Sequence, residues 1–447
     1  MRILIILLAL AVPLPVLAQG VDFSWPLEED LPGAGRAIDR EATAGRRARL
    51  VEELGPSVFA VYSGDMRDLE ADVLQDNDFR ANDYFHYLTS LEAPQAWLLI
   101  VTGPDGSSET KLYLPQRRPD MERWTGKKLG PGERAVQLTG IEEVISTSSL
   151  PDFEELASSL GVPLYTVQPR AANGHSAPVR SEDGATQGGV RDARPVLDGL
   201  RLIKDEDELG RLRRAIGATV AAHRQAMRAV QPGWHEYQVE AIVEYTFRFN
   251  GAERVGFPSI IGSGPNSTTL HYDVNRRRIE DGDLIVIDIG AEFGQYSADV
   301  TRTIPVNGRF TPRQRAIYEL VLGAQQAAID MVKPGVTVRD LTIRARAYID
   351  EHSGDLCQPS SCNAYFIHGL SHWLGMRVHD VGDYSRVLEP GMVLTIEPGI
   401  YIEAEELGVR IEDDILVTAD GAVVLSEGAP RSVDDIEALM RETPIFP

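Results

Sequence analysis

Apolar residues fall into two different rhythms along this chain. Short apolar runs at 58–62, 96–101 and 111–114 predict strands, and a short helix capped by Asp152 is expected over 152–160, an α/β pattern for a first domain over 19–170. Over 171–199 Gly, Ser, Ala, Gln and Asp become prominent, which predicts a linker or exposed loop. From about 200 onward the helical period takes over. A helix is predicted from Asp205 to about Val230, with Asp207 and Glu208 in its first turn and Gln231, Pro232 and Gly233 as its stop. A second follows from about His235 to Phe249 and closes at Asn250 and Gly251. The same design returns later. Thr311 and Pro312 open a helix that runs to Val332, Lys333, Pro334 and Gly335 stop it, and another helix reaches about His352.

The strands repeat as well. Glu280, Gly282, Asp288 and Gly290 have the same spacing as Glu389, Gly391, Glu397 and Gly399, and each member of the second set lies 109 residues after its counterpart. Together with the matching helix pairs, this predicts an internal duplication over 200–447. In the first copy, strand 284–289 leads through a turn expected at Phe293 and Gly294 into strand 296–304. With that turn centre Asp288 and Asp299 face each other, although facing like charges destabilise a sheet. In the second copy an apolar run leads into Glu397, and a strand over 409–417 carries Glu412.

A carboxylate beside apolar runs must be paired, protonated or bound to a cation. Four converging acids, Asp288, Asp299, Glu397 and Glu412, therefore call for cations between them. His372 joins them as the candidate imidazole, within a stretch that also holds His368 and His379. The stretch is not the zincin pattern, because Gly369 follows His368 where that motif has Glu. An oxygen-rich set with one imidazole favours Mn²⁺ or Co²⁺ over ions that prefer thiolates. Two ions about 3.5–4 Å apart hold a hydroxide and polarise a carbonyl, so hydrolysis is the expected reaction, with a carboxylate accepting the proton.

Bulk properties narrow the setting. The 447 residues suggest two domains, with 43% hydrophobic and 25% charged residues, as in ordinary globular chains. A formal net charge of −23 argues against nucleic acid as a partner. Arg2, the apolar run 3–12 and Ala18 read as a secretory signal over 1–18, too short to span a bilayer, so an exported, periplasmic or secreted chain without stable membrane insertion is expected. Cys357 and Cys362 are the two cysteines, separated by a turn-like segment. In an oxidising compartment such thiols usually pair; two free thiols are the alternative.

Six stretches carry a resemblance: 285–290, 299–303, 368–375, 378–382, 395–401 and 410–414. They look like the proline-specific metallopeptidases, above all the Xaa-Pro aminopeptidases (aminopeptidase P), with prolidase and methionine aminopeptidase as kin. The resemblance implies an α+β chain: a C-terminal pita-bread domain with a pseudo-twofold, preceded by a smaller α/β domain. It implies two divalent ions, Mn²⁺ with Co²⁺ or Zn²⁺ as alternatives, held by Asp288, Asp299, His372, Glu397 and Glu412. Glu397 would be the general base acting with a metal-bridged hydroxide. His271 would bind or shuttle protons, and His379 would contact the substrate and stabilise developing charge. His368, Tyr401 and Arg410 match supporting, substrate-binding positions; for Arg410 a simple ion pair with Glu412 or Asp414 is the alternative. Proline-containing peptides are the implied substrates, and a homo-oligomer, dimer or tetramer, the implied assembly. Two features depart from the family pattern. Asn82, Asp83, Tyr84 and Phe85 stand where the family often reads Asn-Ser-Asp-Phe, and the two cysteines precede His368 without a counterpart. The competing readings are a dipeptide-restricted prolidase and a metal-free binding protein of the same fold. The five filled ligand positions count against the latter.

Overall fold

The computed structural model describes residues 38–65, 79–167 and 189–443. The signal segment and most of the expected linker lie outside these residues. The N-terminal domain is built on a six-stranded mixed sheet in the order Glu143–Ser146, Ser108–Leu114, Trp97–Thr102, Ser57–Tyr62, Leu164–Thr166, Val190–Asp192. Alternation within the strand Ser57–Tyr62 explains its two-sided burial. Val58 and Ala60 pack with Ala157 of the helix Phe153–Leu160 on one face, while Phe59 and Val61 enter the other core.

That second core does not stop at the domain. It continues through Leu209, Leu212 and Ile216 of the long helix Glu206–Ala229 and through Phe293 and Tyr296 of a hairpin in the C-terminal half. Buried charges reinforce the junction. Arg46, 1% exposed, pairs with Asp205 and Asp207, and Arg80 reaches Glu292. One expectation is corrected here. Within 171–199, the described residues form an edge strand, Val190–Asp192, and the start of a helix, Arg194–Leu202. Pro195 near the helix start and Leu197 in the shared core account for this order.

The C-terminal half shows the duplication. Helices Glu206–Ala229 and Glu236–Phe249 stand to one sheet as Pro312–Ile329 and Val338–His352 stand to another. Their starts follow local chemistry: Asp205 with Glu208 and Thr311 with Gln314 form capping boxes. The first sheet has the order Val300–Pro305, Leu284–Ile289, Ile260–Ser263, and the second Val393–Ile396, Asp413–Thr418, Gly421–Val424.

The first hairpin is shifted from its expected register. Phe293 pairs with Tyr296 and Asp288 with Thr301, so the turn centres on Gly294 and Gln295. Both have positive φ, 59° and 62°, the conformation that a two-residue turn of type I′ requires. Asp299 therefore sits diagonal to Asp288 instead of opposite it. A slip of two residues keeps the side-chain face, so both acids still point the same way. The second strand also breaks, into Tyr296–Ser297 and Val300–Pro305, and the expected strand over 409–417 breaks into Leu407–Arg410 and Asp413–Thr418. Gly290 lies opposite the first break, on the partner side of the hairpin. A Cβ there would lie 1.9 Å from the carbonyl oxygen of Ala298, so the close approach of the two chains needs glycine. In the second copy the pairs Ile396–Asp413 and Gly399–Arg410 bracket Glu397 and Glu412, which fall directly opposite each other.

Candidate metal centre

Backbone bonds fix the ligand-bearing segments before any side chain is considered. The segment carrying His372 pairs with the second-copy strand: Thr395 N–H donates to the His372 carbonyl at 3.0 Å, and Glu397 N–H to Leu370 at 2.9 Å. Glu412 is tied to the first copy, its N–H donating to the Thr301 carbonyl at 3.1 Å while Thr301 Oγ1 donates to its Oε2 at 2.7 Å. The two halves thus meet at these acids.

The side chains converge as the spacing suggested. His372 Nε2 lies 3.2 Å from Asp299 Oδ2, 3.5 Å from Glu397 Oε1 and 3.8 Å from Glu412 Oε1. One donor atom each from Asp299, His372 and Glu412 falls within a 4.8 Å cluster. Asp288 Oδ1, Asp299 Oδ1 and Glu412 Oε1 are buried and accept no hydrogen bond from the described residues. Buried carboxylate oxygens without a donor are costly, and such oxygens beside an imidazole suit divalent cations. His372 Nδ1 is 3.2 Å from the Trp373 carbonyl. In the tautomer that donates from Nδ1 to this carbonyl, Nε2 carries the lone pair that an ion needs.

Electrostatics point the same way. Burial, then repulsion from Asp288, Asp414 and Glu397, pushes Asp299 well above the ordinary carboxylate range. Glu412 is raised well above it too, by burial and then by Asp299, Glu397 and Asp288. Burial lifts Glu397 to about 7, although His372 and Arg410 pull against it. A dicationic neighbour would relieve this repulsion.

The remaining expected residues form two groups. His271 and His379 line a cavity of about 190 Å³ with Asp288 and Asp299, walled by Phe257, Pro258 and Ile260. His379 packs edge-on against His372 at 4.3 Å, and burial, then His372 and His271, hold it below its ordinary pKa. The second group stands behind the acids. His368 Nε2 is 2.8 Å from Tyr401 Oη, which accepts from Arg410 Nη1 at 3.0 Å. Burial and then Arg410 lower His368 to about 4, so it is neutral near pH 7.

Arg410 differs from expectation in its partners. Its ion pair is with Asp288, at 2.7 Å, and it also donates to Thr301 Oγ1 and the Leu270 carbonyl. At 3% exposure it braces Asp288 against Tyr401 from behind. Burial opposes its charge, but Tyr401, Asp288 and Glu412 outweigh that and raise its pKa. Several supports had no assigned role in the sequence reading. Thr301 and Thr395 hold Glu412 and the backbone of His372. Arg302 pairs with Asp413 at 2.7 Å, both fully buried, and donates to the Glu412 carbonyl. Their signal was present: three polar residues in a row, Thr301 to Thr303, inside a wholly buried strand. The two cysteines ahead of His368 are joined in a disulfide.

Residues 43–161 match the family model described as "Aminopeptidase P, N-terminal domain", and residues 210–419 match "Metallopeptidase family M24". A Xaa-Pro aminopeptidase of Escherichia coli is 35% identical over 436 residues, covering 90% of this chain and 98% of its own. Xaa-Pro aminopeptidase 1 of Streptomyces coelicolor is 33% identical, covering 95% and 91%. Among solved structures, a putative aminopeptidase P from Bacillus anthracis superposes with a TM-score of 0.82 at 34% identity, over 91% of this chain and all of that one. Aminopeptidase P from E. coli with the inhibitor Pro-Leu gives 0.80 at 33%, over 90% and 98%. The chain belongs to metallopeptidase family M24 and, within it, to the Xaa-Pro aminopeptidases, whose N-terminal domain and duplicated catalytic half it carries.

Proposed function

We propose that this chain is an exported enzyme that removes the first residue from peptides whose second residue is proline. Two divalent ions, manganese by donor chemistry, would be held by Asp288, Asp299, His372, Glu397 and Glu412. The observation that carries this reading is the set of buried carboxylate oxygens without donors on Asp288, Asp299 and Glu412, the last two of these acids lying 3.2 and 3.8 Å from His372 Nε2. Bound there, divalent ions supply Lewis acidity, which lowers the pKa of a water and polarises the scissile carbonyl.

The chain's own residues do the rest. Glu397, 3.5 Å from His372 Nε2 among the expected ligands, is placed to take the proton of the attacking water and return it to the leaving nitrogen. His379 and His271 line the cavity beside Asp288 and Asp299. In that position His379 donates an N–H to the carbonyl oxygen as charge develops on it, and His271 holds or relays a proton. Arg410, Tyr401 and His368 keep the acids in register from behind.

The test sets two substrates side by side. Strip the chain with chelator, restore Mn²⁺, and offer Xaa-Pro and Xaa-Pro-Yaa peptides. Cleavage of the longer peptide is expected; cleavage of the dipeptide alone would make the enzyme a prolidase. Export rests on the leader-like residues 1–18 and fits the Cys357–Cys362 disulfide, since such bonds persist in oxidising compartments. N-terminal sequencing of the exported protein should begin at Gln19; an intact Met1 would refute processing.

A further inference from the structure

Glu236 is a fully buried acid that the metal centre does not use. It opens the helix Glu236–Phe249, and its two oxygens face donors only. Oε1 accepts from Ser263 N–H at 2.9 Å, Ser263 Oγ at 2.7 Å and Asn266 Nδ2 at 3.0 Å. Oε2 accepts from Tyr272 Oη and from Arg277 N–H, each at 2.8 Å. These five donors run along a single segment, 263–277, that crosses the edge of the active-site cavity. A carboxylate satisfies all five; a carboxamide must turn an N–H₂ group towards donors at one end.

His271 lies inside this segment, next to Tyr272. It lines the cavity with Asp288 and Asp299, yet its ring makes no hydrogen bond with the described residues. Its aim is therefore set by the backbone that carries it. That backbone has further anchors: the Leu270 carbonyl accepts from Arg410, Ser267 Oγ accepts from Gly408 N–H, and the Asn275 side chain bridges Ile261 and Ser259. Glu236 is the anchor that spans the segment from both sides of His271.

We infer that Glu236 is the positioning residue for His271, acting through the 263–277 segment and touching neither metal nor substrate. The inference rests on the proposed role of His271 in peptide cleavage. Glu236→Gln, His271→Ala and the double variant would be compared by kcat/KM on a Xaa-Pro-Yaa peptide, by thermal melting and by amide hydrogen exchange. Glu236→Gln should melt close to the native protein, lose activity by about 10- to 100-fold and exchange faster across 263–277. The double variant should be no slower than His271→Ala alone, since both changes act on one group. Losses that multiply in the double variant, full activity of His271→Ala, or unchanged exchange across 263–277 would each overturn the inference. If the native chain cleaves no Xaa-Pro bond, the aminopeptidase reading fails separately, and unchanged exchange would still overturn the clamp. Should Glu236→Gln not fold, Tyr272→Phe removes one of the five donors and is read the same way.

Discussion

At the scale of the residue, Glu397 is where burial and charge compete most directly. Burial lifts its pKa from the ordinary 4.5 to about 7, while His372 and Arg410 pull it down and Asp288 pushes it up. Without metal, the folded chain therefore holds a proton at this site that the unfolded chain releases between those two values. A group raised on folding costs stability as pH rises through that window. Removing the charge should remove the cost. Glu397→Gln, melted in chelator, is expected to be more stable than the native chain at about pH 8, with the difference shrinking towards pH 5. The difference is the readout because buried His86 and His223, both lowered first by desolvation, change stability with the opposite sign. An advantage that is absent, or that grows on acidification, would contradict the assigned environment. The same variant should lose turnover, because an amide cannot accept the proton of the attacking water.

At the scale of the element, what was legible follows from local chemistry. Asp152, Asp205 and Thr311 cap the helices that their positions predicted, because an N-cap oxygen satisfies amides within its own turn. The face of the sheet that carries Asp288 and Asp299 was legible too, since its period is two. The register was not. Gln295 adopts a left-handed φ of 62° that nothing in its type announces, and the turn moved one residue along with it. The second-copy segment 409–417 is expected as a single strand, yet it is interrupted at Ile411 and Glu412, where the chain leaves Arg410 for Asp413. The part of the expected linker from Val190 onward was hidden because its order comes from packing against a distant sheet. The partner of Arg410 was likewise set by tertiary structure: Asp288, 122 residues away, instead of the nearby acids.

At the scale of the whole molecule, the centre belongs to neither copy of the duplicated unit. Asp288 and Asp299 come from the first, His372, Glu397 and Glu412 from the second, and Arg410 crosses back to Asp288. Donated N–H groups from Glu412 to Thr301 and from Arg302 to Glu412 stitch the copies at that point. The N-terminal domain reaches the same region. Arg80 and Arg377 meet at Asp83, and a cavity of about 540 Å³ lined by Asn82, Asp83 and Arg377 shares Val378 and His379 with the catalytic cavity. The departure at Asp83 from the family pattern thus lies in a cavity that borders the metal site. Holding four acids and one imidazole together across two copies makes sense for a pair of cations. The most direct measurement is to titrate Mn²⁺ into the chelator-stripped mature chain while following release of the first residue from a Xaa-Pro-Yaa peptide. Activity should be absent without metal and level off at two ions per chain; full activity in chelator, or a plateau at one ion, would contradict the two-metal account.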